Sequence, residues 1–303
     1  MTKRKRIYIT KSVILNLCLI LAAFIVSYPL IYSVLAATNS QVEFLDVRLL
    51  PIPRTFQWSR LKNFTYILGL SEIWTAVFVT MLKFGAGTLI AIVTSAIGGF
   101  LFACVRFKGK NSVFFYYMFS MMIPGISLMV PTYVLFARLP LMGGNNILGQ
   151  GGSGFINDVS FLFVTGWVGV YNIFLMRQII LTIGPELKEA ASADGAGILR
   201  IIFRIYLPLC LPILAVLIIG GFIGTWNDYM TSLIYLPDRP EFQLIGTRIV
   251  FFMEVLGFGG YSGIPNYPFV FGMSVIYMLP PVVIFLIFQR QFISGLTAGS
   301  LKG

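Results

Sequence analysis

The chain has 303 residues, 57% of them hydrophobic and only 11% charged, with a mean hydropathy of +0.88. Water-soluble domains carry about a quarter charged residues, so most of this surface must face lipid or other helices. The formal net charge is +11 and there is no histidine, which excludes imidazole acid–base and zinc–imidazole chemistry.

About 20 apolar residues cross a hydrocarbon core, and the charged residues punctuate this sequence into six such stretches. No charge falls between Ser12 and Val42, which predicts a first span over 13–36, with Pro29 near its outer end. Lys3-Arg4-Lys5-Arg6 resembles the start of a signal peptide, but the apolar run behind it is far longer than the usual ~7–15 residues. An uncleaved first span is expected. Residues Glu43–Leu70, with Pro51, Pro53 and Trp58, read as an external loop. The second span is expected over 73–105, long enough to tilt, and Lys83 lies inside it. A lysine in a span marks a pathway or snorkels to the interface; snorkelling is the reading adopted.

A third span is predicted over 113–137, with kinks at Pro124 and Pro131. Leu139–Val159 is glycine-rich and reads as a turn-rich external loop. Gly144 and Gly149 have P-loop separation, but Gln150 stands where lysine is needed. The fourth span is expected over 161–183, and the fifth over 205–226 with kinks at Pro208 and Pro212. The sixth covers 269–289 and contains Pro280-Pro281. Cys18, Cys104 and Cys210 all sit inside these runs without metal-ligand spacing, and are expected as buried small hydrophobes.

Six spans put both termini on one side. With the N-terminus in the cytoplasm, fourteen basic residues are cytoplasmic and seven external, Lys83 being the one left in a span. That two-to-one bias follows the positive-inside rule and explains the basic charge without nucleic acid.

One stretch departs from the apolar pattern, Gly184-Pro185-Glu186-Leu187-Lys188-Glu189-Ala190-Ala191-Ser192-Ala193-Asp194-Gly195. Pro185 suits a first helical position, and Glu186 and Glu189 suit the positive end of a helix dipole. The alanines favour helix, and Gly195 allows a sharp change of direction. A short surface helix between spans four and five is predicted.

These residues carry a family likeness. Glu189-Ala190-Ala191, three residues, Gly195, nine residues, Ile205, one residue and Leu207-Pro208 resembles the signature loop of bacterial ABC importer permeases, without insertion or gap. Trp226-Asn227-Asp228, the Gln289-Arg290-Gln291-Phe292 stretch, the tail Gly295–Gly303 and the proline-rich loop before Trp58 and Asn63 look like the maltose-type, oligosaccharide permeases. The glycine-rich stretch Leu139–Gly154 is longer than in the maltose transporter's own subunit.

The resemblance implies an all-α polytopic membrane fold of six helices, the type I ABC importer fold. Residues 1–12 would be a cytoplasmic segment, 13–293 one permease domain and 294–303 a cytoplasmic tail, in the bacterial inner membrane. It implies a coupling helix over about 185–199, in which Glu186, Glu189, Ala190, Ala191, Asp194, Gly195, Leu207 and Pro208 serve an ATPase. Implied partners are a second homologous permease, two ATPase subunits and an extracytoplasmic sugar-binding protein, in a lipid bilayer. The chain would bind no cofactor, ATP and magnesium belonging to the ATPase, and would not be an enzyme.

Sugar sites combine aromatic faces with amide or carboxylate hydrogen bonds. Tyr171, Asn172, Trp226, Asn227, Asp228, Tyr229 and Tyr277 are therefore candidates for a substrate path, against helix packing or interfacial anchoring as the plainer role of each aromatic. A polyol, a glycerol-phosphate or a modified oligosaccharide is the alternative cargo. An ion-coupled transporter would need acids within its spans, and none of the eleven falls mid-span. An intramembrane enzyme would need a nucleophile with a base, and neither pattern is present.

Overall fold

The computed structural model describes residues 3–46, 49–54, 61–164, 169–258 and 265–300. Trp58, Arg48, Arg60 and the last three residues, all used in the sequence reading, lie outside that set, as do the side chains of 3–10, 164 and 290–300. The described backbone is helical or irregular and contains no strand. It divides into two compact units, Met1–Ser71 with Ile249–Pro280, and Glu72–Arg248 with Pro281–Gly303.

In the first unit, α1 (Lys3–Ala37) is a single helix whose side chains from Lys11 to Val26 are exposed. An apolar helix of this length without a polar face suits lipid. Cys18 is on that face, so the expectation that it is buried fails. The α1 end is anchored: Asn39 Nδ2 donates to Leu35 O at 2.8 Å and to Pro51 O. Ser40 then caps α2 (Gln41–Leu45) in a reciprocal box with Glu43. α3 (Lys62–Leu68) is held by Asn63 Nδ2 donating to Ala37 O at 3.2 Å. The expected external loop thus contains two short helices.

In the second unit, α4 (Ser71–Cys104) is unbroken. α5 (Lys110–Phe119) and α6 (Met129–Ala137) flank two 3-10 turns, and the two apolar halves, Lys110–Met122 and Gly125–Ala137, meet at 92°. Pro124 stands at that break. Pro131 makes no kink: it lies in the first turn of α6, where its missing N–H would have had no helical partner.

The glycine-rich stretch after α6 is locked in place. Gly143, Gly144, Gly149, Gly151 and Gly154 all have positive φ. A Cβ on Gly149 or Gly154 would run into the carbonyls of Arg138 or Phe136. Buried Asn145 donates to Ala137 O and Leu139 O, both at 3.0 Å, and accepts from Gly152 N at 2.9 Å. Asn157 pairs reciprocally with Asp238, at 2.7 and 3.1 Å.

The expected fourth span over 161–183 is seen as α7 (Phe161–Val164) and, after Gly169, the 14-residue α8 (Val170–Ile183). α9 (Glu186–Ala193) follows, then α10 (Ile198–Arg200), a π-helical turn at Ile201–Tyr206 and α11 (Leu207–Leu209). α12 (Leu211–Trp226) leaves this run at 83°. Pro208 and Pro212 straddle the bend at Cys210, each in the first turn of its helix, where a proline cannot donate back into the preceding segment, so the predicted kink is present. The helix begins seven residues before the predicted 205. α13 (Met230–Tyr235) and α14 (Ile245–Phe252) precede α15 (Tyr267–Ser300), which runs through Pro280-Pro281 and past the predicted end at 289.

Among the described residues three stretches, Lys11–Ala37, Ser71–Cys104 and Tyr267–Gln289, are long and apolar enough to cross a membrane, and the two bent pairs raise this to five; Val170–Ile183 is apolar but shorter. Helix contacts inside the second unit use small residues, as membrane helices commonly do. A Cβ on Gly99 of α4 would lie 2.7–3.0 Å from Met176 and from the backbone nitrogen of Arg177 on α8.

Candidate functional site

The second unit carries two features built from polar residues in an apolar frame. The first is a cavity of about 530 Å³ between α4, α8, α12 and the start of α13, within the ~300–1,000 Å³ of small-molecule sites. Its α4 wall is Lys83, Gly87, Thr88, Ala91 and Ile92, and its α12 wall Val216, Leu217, Gly220, Gly221 and Thr225. Both sets recur at intervals of one, three, four or five, the spacing of a helix face. Tyr171, Asn172, Asp228 and Thr231 complete it.

Lys83 Nζ meets Asp228 Oδ2 at 2.5 Å, with 11% and 20% of the two side chains exposed. The lysine therefore does not snorkel. Twelve residues into α4, or about 18 Å along it at ~1.5 Å per residue, its ammonium is held by a carboxylate from the far end of α12. Asp228 is fixed in turn, since its Oδ1 accepts from Thr231 N at 3.0 Å.

A hydroxyl relay supports this turn from behind. Leu244 N donates to Ser232 Oγ at 3.0 Å, and Thr247 Oγ1 donates to Tyr229 O at 2.6 Å. The 2.7 Å contact between the two hydroxyls is then a bond from Ser232 to Thr247, since the Thr247 proton is already committed. Thr80 Oγ1, buried on α4, accepts from Ile245 N at 2.9 Å and donates to Ala76 O at 2.7 Å.

The second feature is α9. Pro185 is its N-cap and not its first helical residue, so Glu186 opens the helix. The helix ends at Ala193, six residues short of the predicted 199. Ala196 N donates to Ala191 O at 2.9 Å and Gly195 N to Ser192 O at 3.1 Å, with Gly195 at φ +79°. This is a Schellman turn, which satisfies the last carbonyls through one left-handed residue. Nothing lies within 4 Å of a Cβ at Gly195, so conformation and not space selects glycine there.

Ala191 is the buried residue of α9 and packs into a core with Ile202, Tyr206 and Phe100. Glu186, Glu189, Ala190, Asp194 and Gly195 are exposed, beside exposed Leu187, Ile198 and Leu199. Tyr206 Oη donates to Gly184 O at 2.8 Å.

Three cations from different elements hold the α4 end, whose last carbonyls have no helical donors. Arg177 of α8 donates to Phe102 O at 3.1 Å. Lys110 of α5 donates to Ala103 O and Val105 O, both at 3.0 Å, and Lys188 of α9 to Cys104 O at 2.9 Å. Cations are favourable at this negative end of the helix dipole, and Arg177 also lies 4.2 Å over the Phe114 ring. Lys188 thereby ties α9 directly to α4.

Residues 95–297 match the model of the binding-protein-dependent transport system inner membrane component family. The chain belongs to that family. It is 29% identical over 93% of its length, and 93% of the relative, to the arabinooligosaccharides transport system permease protein AraQ of Halalkalibacterium halodurans. It is 31% identical to the melibiose/raffinose/stachyose import permease protein MelC of Bacillus subtilis, covering 80% of each. A solved bacterial ABC transporter involved in the import of the acidic polysaccharide alginate superposes with a TM-score of 0.75 at 21% identity, over 96% of this chain and 99% of that one. At that identity the likeness is one of fold: a mostly helical ABC importer transmembrane domain.

In this permease chain the structure brings together only some of the residues singled out from sequence. Tyr171, Asn172 and Asp228 line one cavity, the first two in the opening turn of α8. Trp226 is 2% exposed and stacks on Phe222 at 5.5 Å, which gives it a packing role. Asn227 is exposed, Tyr229 contributes its carbonyl to the relay, and neither lines the cavity. Tyr277 is half-buried on α15 in the other unit. Leu207 is half-buried and Pro208 exposed at the bend, so neither lies on α9 itself. Sequence reasoning missed Gly87, Thr88, Gly220, Gly221, Thr225 and Thr231. Their signal was small and polar residues recurring on one face of an apolar helix.

Proposed function

We propose that this chain is one of two permease subunits of an ATP-driven importer that carries a sugar or oligosaccharide across the bacterial inner membrane. In this reading the protein has six spans, with both termini in the cytoplasm, and the fourth span includes α8. The observation that carries the proposal is the construction of α9. It is a short acidic helix, exposed on one side, ended by a left-handed glycine and tied through Lys188 to a transmembrane helix.

α9 is then the coupling helix. Glu186, Glu189, Ala190, Asp194 and Gly195 present its outer surface to an ATPase subunit, while Ala191 and Lys188 join it to the bundle. When two ATPase subunits close on ATP and magnesium, α9 is displaced. The displacement passes through the Cys104 carbonyl into α4 and through the 184–206 contact into α10–α12. The cavity walls belong to α4 and α12, so the same motion changes access to the cavity. The chain itself supplies no catalytic group; hydrolysis belongs to the ATPase.

An extracytoplasmic binding protein delivers the cargo. Sugar cargo is supported by the names of the relatives and by the hydroxyl, amide and carboxylate lining of the cavity. The test is ATPase activity of the reconstituted complex of this chain, its partner permease, the ATPase and the binding protein, run against a panel of oligosaccharides. Stimulation by the binding protein loaded with one sugar is expected. An assembled complex that no loaded binding protein stimulates would refute the importer reading, and stimulation only by a polyol or glycerol-phosphate would overturn the sugar.

A further inference from the structure

The cavity contains one cation and one anion, and they hold each other. Among its lining residues only Lys83 and Asp228 carry formal charge, so the site is net neutral. The rest of its polar surface is hydroxyl and amide, from Thr88, Thr225, Tyr171 and Asn172. The geometry points to a site for an uncharged polyhydroxyl ring: the ion pair is the polar anchor of the sugar and also the element that rejects anionic cargo. This rests on the importer reading and names its substrate class.

The argument is electrostatic. Each partner of the pair keeps hydrogen-bonding capacity: the ammonium has three N–H groups and gives one to Asp228, and each carboxylate oxygen has a second lone pair. Adjacent sugar hydroxyls, each both donor and acceptor, can bridge such a pair without separating it. An anionic ring finds no net positive charge here: whatever it gains from the free Lys83 N–H groups is opposed by the Asp228 carboxylate beside them. Drawing the ammonium off Asp228 would leave a largely buried carboxylate without its counter-ion, which is strongly unfavourable. Such a site discriminates by repelling the wrong charge as well as by contacting the right one.

The test uses the full complex in lipid nanodiscs, without the binding protein, and saturation-transfer NMR with arabinotriose, raffinose and maltotriose against trigalacturonate. At least one neutral probe should give signal, and trigalacturonate should be weaker by at least about tenfold. Asp228→Asn leaves Lys83 unpaired and should raise the trigalacturonate-to-neutral ratio by at least about tenfold. Gly87→Lys adds a cation beside an intact pair at a position open to a side chain. It carries the same expectation if Asp228→Asn does not assemble. Lys83→Gln with Asp228→Asn restores neutrality and should return the ratio to the wild-type side.

Trigalacturonate bound as well as the neutral probes in the wild type, no change of ratio in the variants, or no signal from any probe would each overturn the assignment. Binding-protein-stimulated ATPase of the same preparation separates the two readings. If stimulation is present with the wrong charge preference, only the neutral-cargo inference fails; if it is absent, the importer reading fails whatever the cavity binds.

Discussion

Gly195 permits a worked prediction because only one property of the site can select glycine. Its φ is +79° and a Cβ would meet nothing within 4 Å, so substitution costs conformation and not space. A left-handed L-residue costs roughly 1–2 kcal/mol, and asparagine or aspartate tolerates the region better than alanine. α9 has eight residues, too few to be stable by helix propensity alone. Gly195→Ala should therefore shift the equilibrium of the Schellman turn by a factor of roughly 5–30, while Gly195→Asn leaves it nearly unchanged. Hydrogen exchange at the Gly195 and Ala196 amides, the two donors of the turn, reads the conformational effect. Stimulated ATPase of the reconstituted complex reads the functional one. Gly195→Asp adds a charge next to Asp194 at the end of α9; it should abolish uptake while membrane insertion stays intact, and its contrast with Asn isolates charge from backbone. If alanine protects the two amides as well as glycine does, or asparagine loses as much protection as alanine, the conformational reasoning is wrong. Normal transport by Gly195→Asp would refute the placing of this face against the ATPase.

Lys188→Met removes the bond to Cys104 O and should lower stimulated ATPase several-fold while the thermal midpoint moves little; unchanged stimulation would show that α9 does not act through α4. Gly99→Leu forces a side chain against Met176 and the Arg177 backbone; overpacking should destabilise by about 1–3 kcal/mol or more, seen as lost monodisperse protein, whereas Gly220→Ala, with open space around it, should be recovered at wild-type yield. Thr247→Val leaves the Ser232 hydroxyl without its acceptor and Tyr229 O without its donor, a loss of about 1–3 kcal/mol that thermal unfolding will report.

The apolar helices, the proline bends and α9 were legible in the sequence because each depends on residues close along the chain. Hydrophobic run length marks a helix that suits lipid, a proline breaks the hydrogen bonds of its own turn, and the spacing from Glu189 to Pro208 carries the family likeness whatever packs around it. Run length also set limits. It could not show that Pro131 falls in a first turn, or that α8 starts after an extended Gly169 inside the expected 161–183 stretch. Other properties depend on which helix faces meet, and only the tertiary structure decides those. Lys83 and Asp228 are 145 residues apart, and neither one's surroundings disclose the other, so a paired lysine looked like a snorkelling one. Trp226 carried the composition of a sugar platform and is core, because its neighbour on the same face is Phe222. Lys110, Arg177 and Lys188 counted alike in the charge balance. What separates them from the other cations is that the end of α4 presents four consecutive carbonyls there, in an apolar setting where each needs a donor.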